Sequence, residues 1–389
     1  MKYTQRTLAL TALIGVSLAG YLIADKTGGY VETDLVVNQS VNGVPTLKDA
    51  NGIVHIAKFF DPHLVNPWGV GESSTSFFWI SDNGAGVSTL YNMAGIAQSL
   101  VVSVPAPGQP LGTGGAPTGV VFNTDGGASG GFTISGLTSG GLPTSQSAVF
   151  LFVTEDGTIL GWNLMVNPPG FNPAKVGTYA IIAVTTPDAV YKGLAIATDS
   201  SGTTRLYAAN FHAATVDVFD TSFNPMSTSG GFVDTALPRE YAPFNIGLFG
   251  GKLFVTYALQ DAAKHDDVAG MSHGVIDVFD LQGHLLQRFA QHGQLDSPWG
   301  MAMAPAGFGE LGGTLWVGNF GNGQINAYDP QTGRFINKVR DPHGQALVID
   351  GLWSLQVGNG ANGGDANTIY FTAGPNGEQD GIFGSLSPH

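Results

Sequence analysis

The segment NPWGVG, residues 66–71, decides the fold, because short apolar segments with a central glycine recur along the whole chain. Five further segments follow it: PTGVVF at 117, YKGLAIA at 191, FNIGLF at 244, SPWGMAM at 297 and DGLWSLQV at 350. Their glycines are Gly69, Gly119, Gly193, Gly247, Gly300 and Gly351, separated by 50, 74, 54, 53 and 51 residues. Such a period indicates a repeat architecture with one supersecondary unit per repeat.

Each unit continues with further short apolar strands. A second strand such as FFWISD follows the first, and after a turn a third such as GQINAYD alternates and ends near Asn or Asp. A fourth follows in several units, for example YAIIAV. Six units of this kind predict an all-β fold, a six-bladed β-propeller of four-stranded antiparallel blades. A jelly roll or a pair of sandwiches is the competing fold, but neither predicts a six-fold repeat.

The repeat predicts one propeller domain over residues 25–389. The last unit lacks a fourth strand, and the alternating segment YVETDLVVNQS, residues 30–40, is expected to supply it and close the ring. The 74-residue spacing has a local cause, a Gly/Ser/Thr-rich insertion at residues 124–146 in the second blade. We expect this insertion to be a surface loop.

The first 24 residues predict export. MKYTQR is basic, TLALTALIGVSLAGYLIA is apolar, and small residues allow cleavage after Ala19. The alternative is an uncleaved N-terminal anchor, because the apolar run approaches the length of a membrane span. In either case we expect a secreted, periplasmic or cell-surface protein with no later membrane span.

The composition of the chain argues against several classes of partner and of chemistry. A net charge of −14 makes nucleic acid an unsuitable partner, since phosphate binding needs a basic face. The absence of cysteine removes disulfides, thiolate metal sites and thiol catalysis.

Particular repeats resemble a known class. The strand pairs RLYAANFHAATVDVFD, residues 205–220, and TLWVGNFGNGQINAYDP, residues 314–330, resemble NHL and YVTN propeller repeats. IYFTAGPNGEQDGIFGSL at 369–386, together with FFDPHLVNPWGV at 59–70, is similar to a mostly uncharacterised family of exported bacterial propellers. The resemblance implies a propeller fold and export, and it implies no particular reaction.

One face of the predicted propeller collects polar residues, because loops entering the first strands and loops joining the second and third strands emerge together. Oxygen-bearing side chains at equivalent inner positions could hold calcium, which takes six to eight oxygen ligands. These candidates are Asn66, Asp82, Asn83, Asn210, Asn245 and Asn319. The alternative is that they only satisfy turn backbone at the strand ends.

Two other groups are weaker candidates. The loop LQDAAKHDDVAGMSHG, residues 259–274, could bind a divalent ion, or it could be a solvated acidic loop. Its candidate ligands are Asp261, His265, Asp266, Asp267 and His273. The motif DPH occurs twice, as Asp61–His63 and Asp341–His343, and a general base at His63 or His343 competes with a repeated turn stiffened by proline.

Three functions therefore stay open. The first is an exported propeller that binds a ligand, polymer or protein through its polar loop face, with no assigned reaction. The second is a calcium-type, metal-dependent lactonase or esterase-like hydrolase. The third is a structural surface or matrix protein.

Overall fold

The structure, a computed structural model, describes residues 28–125 and 130–389, so the predicted export segment lies outside the described residues. The described part is nearly all β-strand, and its sheets are the blades of a β-propeller, which confirms the predicted fold class. Within these two ranges no helix has the length and apolar character that a membrane crossing requires.

Thirty strands make up the described chain. Before and within the first two blades lie β1 (Tyr30–Val37), β2 (Ser40–Val41), β3 (Val44–Lys48), β4 (Val54–Ile56), β5 (Phe59–Phe60), β6 (Pro67–Gly71), β7 (Phe78–Asp82), β8 (Val87–Tyr91), β9 (Val102–Ser103), β10 (Pro117–Phe122), β11 (Thr133–Leu137), β12 (Pro143–Ser147), β13 (Phe150–Thr154), β14 (Thr158–Trp162) and β15 (Ile181–Thr185).

The remaining blades contain β16 (Tyr191–Thr198), β17 (Thr204–Asn210), β18 (Thr215–Phe219), β19 (Pro225–Met226), β20 (Tyr241–Phe249), β21 (Lys252–Leu259), β22 (Val275–Phe279), β23 (Leu285–Gln291), β24 (Pro298–Met303), β25 (Leu315–Asn319), β26 (Ile325–Tyr328), β27 (Phe335–Lys338), β28 (Leu352–Val357), β29 (Ile369–Ala373) and β30 (Ile382–Pro388). The described helices are single turns: three 3₁₀ turns at Asn83–Ala85, Pro173–Lys175 and Gly309–Leu311, and α1 at Pro375–Glu378.

Six large sheets follow one another along the described chain. Five have the orders β6-β7-β8-β9, β10-β13-β14-β15, β16-β17-β18-β19, β20-β21-β22-β23 and β24-β25-β26-β27, and the sixth is β28-β29-β30-β1-β5. The first strand of each sheet contacts the first strand of the next, and β28 contacts β6. These inner strands therefore surround a central channel.

The repeated glycine has a steric role in the inner strands. A Cβ atom on Gly69 would lie 2.5 Å from the carbonyl oxygen of Thr118, and one on Gly300 would lie 2.4 Å from that of Trp353. Only glycine allows backbones to approach so closely. The sixth repeat differs, because Gly351 precedes its strand and has φ +65°, so the predicted central glycine lies in the preceding turn.

The N-terminal strand completes the last sheet, as its alternating sequence predicts. β1 pairs antiparallel with β30, from Tyr30 opposite Pro388 to Val37 opposite Ile382. The Tyr30 hydroxyl donates to the Phe308 carbonyl and accepts from the Leu311 N–H, both at 2.9 Å. These hydrogen bonds hold β1 in the position where it pairs with β30.

The insertion at 124–146 is more ordered than expected, although its residues 126–129 lie outside the described part. β11 and β12 form a two-stranded antiparallel sheet. Phe132, which precedes it, is fully buried and packs edge-on against Phe223 of the next blade. The two strands are mostly exposed, so the insertion is a surface hairpin that the buried Phe132 anchors to the next blade.

A second small sheet was not predicted. β2, β3 and β4 form a three-stranded antiparallel sheet between β1 and the first blade. Its last strand alternates, with Val54 and Ile56 exposed and His55 buried.

Candidate functional site

At the loop face, polar side chains from three blades form one hydrogen-bonded group. Asn66, just before β6, donates to Glu378 at 2.6 Å and to Asn83 at 3.3 Å. Asn83 in turn donates to Glu155, in the loop after β13, at 2.9 Å. Burial raises the pKa of Glu378, against the lowering effect of its bond from Asn66. We call these four residues together with Lys192 the mouth cluster.

Lys192 is the cation of the mouth cluster, and its side chain is only 2% exposed. Its ammonium pairs with Glu155 and lies 3.4 Å from Asp266. It also lies over the rings of Trp68 and Phe211, at 5.1 and 5.8 Å from their centroids. Burial lowers the Lys192 pKa, but the neighbouring carboxylates more than offset this, so the pKa lies above its ordinary value.

Beneath Lys192, aromatic rings fill the channel. Trp68 stacks on Trp353 at 3.5 Å between centroids, and Phe320 stacks on the same indole at 3.9 Å. Trp299 packs edge-on against both tryptophans, and its Nε1 donates to the Lys192 carbonyl at 3.1 Å. All three indoles are at most 3% exposed. We call these four rings the aromatic layer, and the layer separates the mouth cluster from the rest of the channel.

On the other side of the aromatic layer the channel widens into a cavity of about 610 Å³. The second halves of the inner strands of all six blades line it, so it lies toward the face opposite the polar loops. Most lining side chains are apolar, including Val120, Ile196, Ile246, Met301 and Leu355. This cavity is therefore away from the face on which the sequence placed the ligand.

A few polar groups interrupt the apolar wall of the cavity. Glu72, at the end of β6, accepts a hydrogen bond of 2.9 Å from Gln356. Burial raises the pKa of Glu72 to about 8, even though the bond from Gln356 acts in the opposite direction. Asn245 also lines the cavity and donates to the Trp299 carbonyl at 2.8 Å.

The six calcium candidates occupy different surroundings. Asn66 and Asn83 belong to the mouth cluster, whereas Asn245 lines the cavity beyond the aromatic layer. Asp82 accepts from the backbone and hydroxyl of Thr89. Asn210 donates to Asp217, and Asn319 donates to the Gln294 carbonyl. These hydrogen bonds hold Asp82, Asn210 and Asn319 within their own blades, whereas Asn66, Asn83 and Asn245 bond to other blades.

The candidate ligands in the loop after β21 also have different surroundings. His265 and Asp266 lie with Glu155 in a group whose ligand atoms are all within 4.8 Å of one another. Asp261 instead accepts from the backbone N–H of His265 at 2.8 Å, so it shapes the turn.

The two remaining loop candidates make other contacts. His273 contacts the Val268 carbonyl at 2.9 Å. Burial raises the pKa of Asp267, against the lowering effect of a hydrogen bond from Ser297.

The two DPH motifs form the same turn. Asp61 accepts from the His63 backbone N–H and Asp341 from that of His343, both at 2.9 Å. The His63 ring also lies 3.0 Å from Asp61, whose other oxygen accepts from Tyr91. Across the described ranges no hydrogen bond or ion pair joins His63 to His343.

Sequence reasoning missed Lys192 and Glu72. A signal was present for the first, because lysine stands inside the apolar segment YKGLAIA, where a buried charge requires a partner. No sequence pattern around Glu72 indicates its role, because its hydrogen-bond partner Gln356 comes from the sixth blade.

Two proteins of Acanthamoeba polyphaga mimivirus, both uncharacterized, are similar to this chain. One is 33% identical over 341 residues, which cover 85% of this chain and 82% of the relative. The other is 31% identical over 335 residues, covering 84% and 76%. These relatives are viral, so they do not support the bacterial origin expected from the repeats. No family model matches the chain.

Among solved structures, one described as glucose dehydrogenase superposes with a TM-score of 0.50 at 11% identity. The match covers 83% of this chain and 96% of that chain. At this identity the likeness shows the propeller fold alone.

Proposed function

The chain belongs to the same family as these two mimivirus proteins, and on that premise we propose that it is a ligand-binding propeller whose channel cavity takes a small, largely apolar molecule. The observation that carries this proposal is the cavity of about 610 Å³, lined by all six inner strands. Small-molecule sites in proteins have this size, and they combine an apolar wall with a few polar groups that orient the ligand.

The polar groups of the cavity suit one hydrogen-bonding group on the ligand. Glu72 has a pKa of about 8, so its carboxyl carries a proton near neutral pH and can donate as well as accept. Gln356 and Asn245 add amide groups to the same wall. A titratable group with a shifted pKa in a concave site is a frequent mark of a functional site.

The aromatic layer and the mouth cluster support the proposal that the ligand enters the channel from the side of the cavity. The three indoles are almost completely buried, so a ligand at the loop face meets packed rings on the channel axis. The expected binding of a polymer or protein at the loop face would therefore use the loops themselves. Export, expected from residues 1–24, remains part of the proposal.

The metal-dependent hydrolase has less support at the channel mouth. A divalent cation there would bind between Glu155 and Asp266, where the ammonium of Lys192 already pairs with both. Two cations that share one set of carboxylates repel each other. No contact in the described residues favours the matrix role over ligand binding.

The test uses Leu248, which lines the cavity and is 42% exposed, so it lies at the rim. We expect wild-type protein to bind 1-anilinonaphthalene-8-sulfonate at one saturable site, measured by fluorescence titration. In the Leu248→Trp variant the larger indole narrows the rim of the cavity. Dye binding should weaken at least about tenfold, because a side chain that overfills a packed site is unfavourable.

The matched control is Leu285→Trp, because Leu285 is 38% exposed on the strand β23 and does not line the cavity. This variant should bind the dye as wild type does. Equal dye affinity of the Leu248→Trp variant and wild type, or no saturable site in wild type, would refute the proposal.

A further inference from the structure

A partly buried group of three carboxylates and one imidazole lies between β1, on the outer side of the sixth sheet, and the small sheet of β2, β3 and β4. Glu32 and Asp34 are two residues apart on β1, so they project to the same side of the strand. His55 is the inward residue of β4, and Asp49 lies in the turn between β3 and β4. We call these four residues the β1 cluster.

The distances in the β1 cluster suit a metal ion. His55 Nδ1 lies 3.2 Å from Asp34 Oδ2 and 3.7 Å from Glu32 Oε1. One ligand atom from each of these three residues falls within 4.8 Å of the others. Ligands at about 2.1 Å from a tetrahedral zinc ion lie about 3.4 Å apart, so the spacing needs little adjustment.

Several atoms of the β1 cluster are buried without a hydrogen-bond partner. They are Glu32 Oε1, Asp34 Oδ1, Asp49 Oδ2 and His55 Nε2. The side chains of Asp49 and His55 are 1% and 5% exposed, so water does not satisfy these atoms freely. A buried unpaired polar atom is costly, and a bound cation would remove that cost for Glu32 Oε1 and Asp34 Oδ1. Asp49 Oδ2 and His55 Nε2 instead face each other at 3.7 Å.

The charge of the β1 cluster also calls for a cation. None of the ion pairs that Lys or Arg form in the described ranges includes Glu32, Asp34 or Asp49. The basic group that the described residues place within 4 Å of these carboxylates is His55 itself.

We propose that the β1 cluster is a site for a divalent transition-metal ion, with His55 Nδ1, Glu32 and Asp34 as ligands. One imidazole with carboxylates is a ligand set for Zn²⁺ or Mn²⁺, whereas calcium prefers oxygen alone. Asp49 is the positioning residue. Its Oδ2 lies 3.7 Å from His55 Nε2, on the far side of the ring from the metal, and there a carboxylate orients a ligating histidine.

The site links β1 to the small sheet, whose Leu47 also packs into the same hydrophobic core as Tyr30 and Val37 of β1. Glu32 and Asp34 lie on the strand that pairs with β30, whereas His55 belongs to the small sheet that follows. The metal ion would hold the small sheet against β1. We therefore expect the ion to stabilise the fold and to act independently of the channel cavity.

The experiment uses untagged full-length protein purified without chelator. Mass spectrometry of metals should find about one equivalent of zinc or manganese, and EDTA should lower the melting temperature in a way that Zn²⁺ restores. The proposal is overturned if wild-type protein melts at the same temperature in EDTA and in excess Zn²⁺.

Variants locate the ion. Glu32→Gln with Asp34→Asn should weaken Zn²⁺ binding by at least about 100-fold in calorimetric titration, and Asp49→Asn by about tenfold. Asp280→Asn is the control, because Asp280 pairs with the exposed His284 at 2.9 Å. This variant should bind Zn²⁺ as the wild-type protein does.

A second control addresses the group at Glu155, His265 and Asp266. His265→Gln removes its imidazole and should leave the bound zinc unchanged. Loss of the ion in this variant, together with unchanged binding in the Glu32→Gln/Asp34→Asn variant, would assign the metal to the loop face and refute the proposal.

Discussion

Replacement of Lys192 by methionine tests the mouth cluster directly. Methionine keeps most of the aliphatic length over Trp68 and Phe211, so the change removes mainly the charge. Glu155 then loses its cation while its side chain stays only 13% exposed. Removal of one partner from a buried ion pair is strongly destabilising, because the other charge remains buried and unpaired.

The magnitude follows from how exposed each partner is. Breaking a buried pair costs about 3–5 kcal/mol, and the partial exposure of Glu155 places this pair at the lower end of that range. Asp266 is 69% exposed, so its pair with Lys192 adds at most about 1 kcal/mol. The two cation–π contacts add about 0.5–1 kcal/mol each. We expect a total loss of about 4–6 kcal/mol.

Urea unfolding measures this loss as a lower midpoint with an unchanged m-value. The double variant Lys192→Met/Glu155→Gln removes both charges and should recover most of the lost stability. A single variant that loses less than about 1 kcal/mol, or a double variant no more stable than the single one, would show that Lys192 is not a buried paired cation.

Three further predictions concern other parts of the fold. Tyr30→Phe leaves the Phe308 carbonyl and the Leu311 N–H without their partner, so urea unfolding should show a loss of about 1–3 kcal/mol, and no loss would contradict this role. Phe132→Ala should cost about 3–5 kcal/mol if the insertion is anchored as the structure shows, whereas a loose surface loop would lose less than about 0.5 kcal/mol. Glu72 has a pKa raised from 4.5 to about 8, so the folded state holds a proton that the unfolded chain releases, and stability falls as pH rises between these values. Glu72→Gln should remove this part of the decline between pH 5 and pH 8, and an unchanged pH dependence would contradict the shifted pKa.

The architecture could be predicted because the sequence repeats a glycine at the inner strands that surround the channel. Gly69 and Gly300 stand where neighbouring backbones touch, and this requirement recurs in the sequence at a regular interval. The strand β1 was predictable from its sequence pattern as well, although its burial does not alternate, because Leu35, Val36 and Val37 are all buried.

The candidate site could be predicted only in part. Asn210 and Asn319 have the residue type of a ligand, but turns and neighbouring strands take up their hydrogen bonds. The residues of the β1 cluster gave no signal, because His55 reaches Asp34 only after the small sheet docks on β1. Proximity that depends on docking between separate elements leaves no periodic pattern in the sequence.

The pairing of β1 with β30 sets the order of events during synthesis. Tyr30 pairs with Pro388 across the two strands, so the sixth sheet forms only after residue 388 has left the ribosome. Contacts between such distant residues are slow to form, and the earlier blades must remain open-ended until then. The same pairing brings the Gly29 carbonyl within 2.9 Å of the His389 N–H. A short linker between these residues would let the chain begin at another surface loop, and a circular permutant would then form its closing sheet from a single continuous segment.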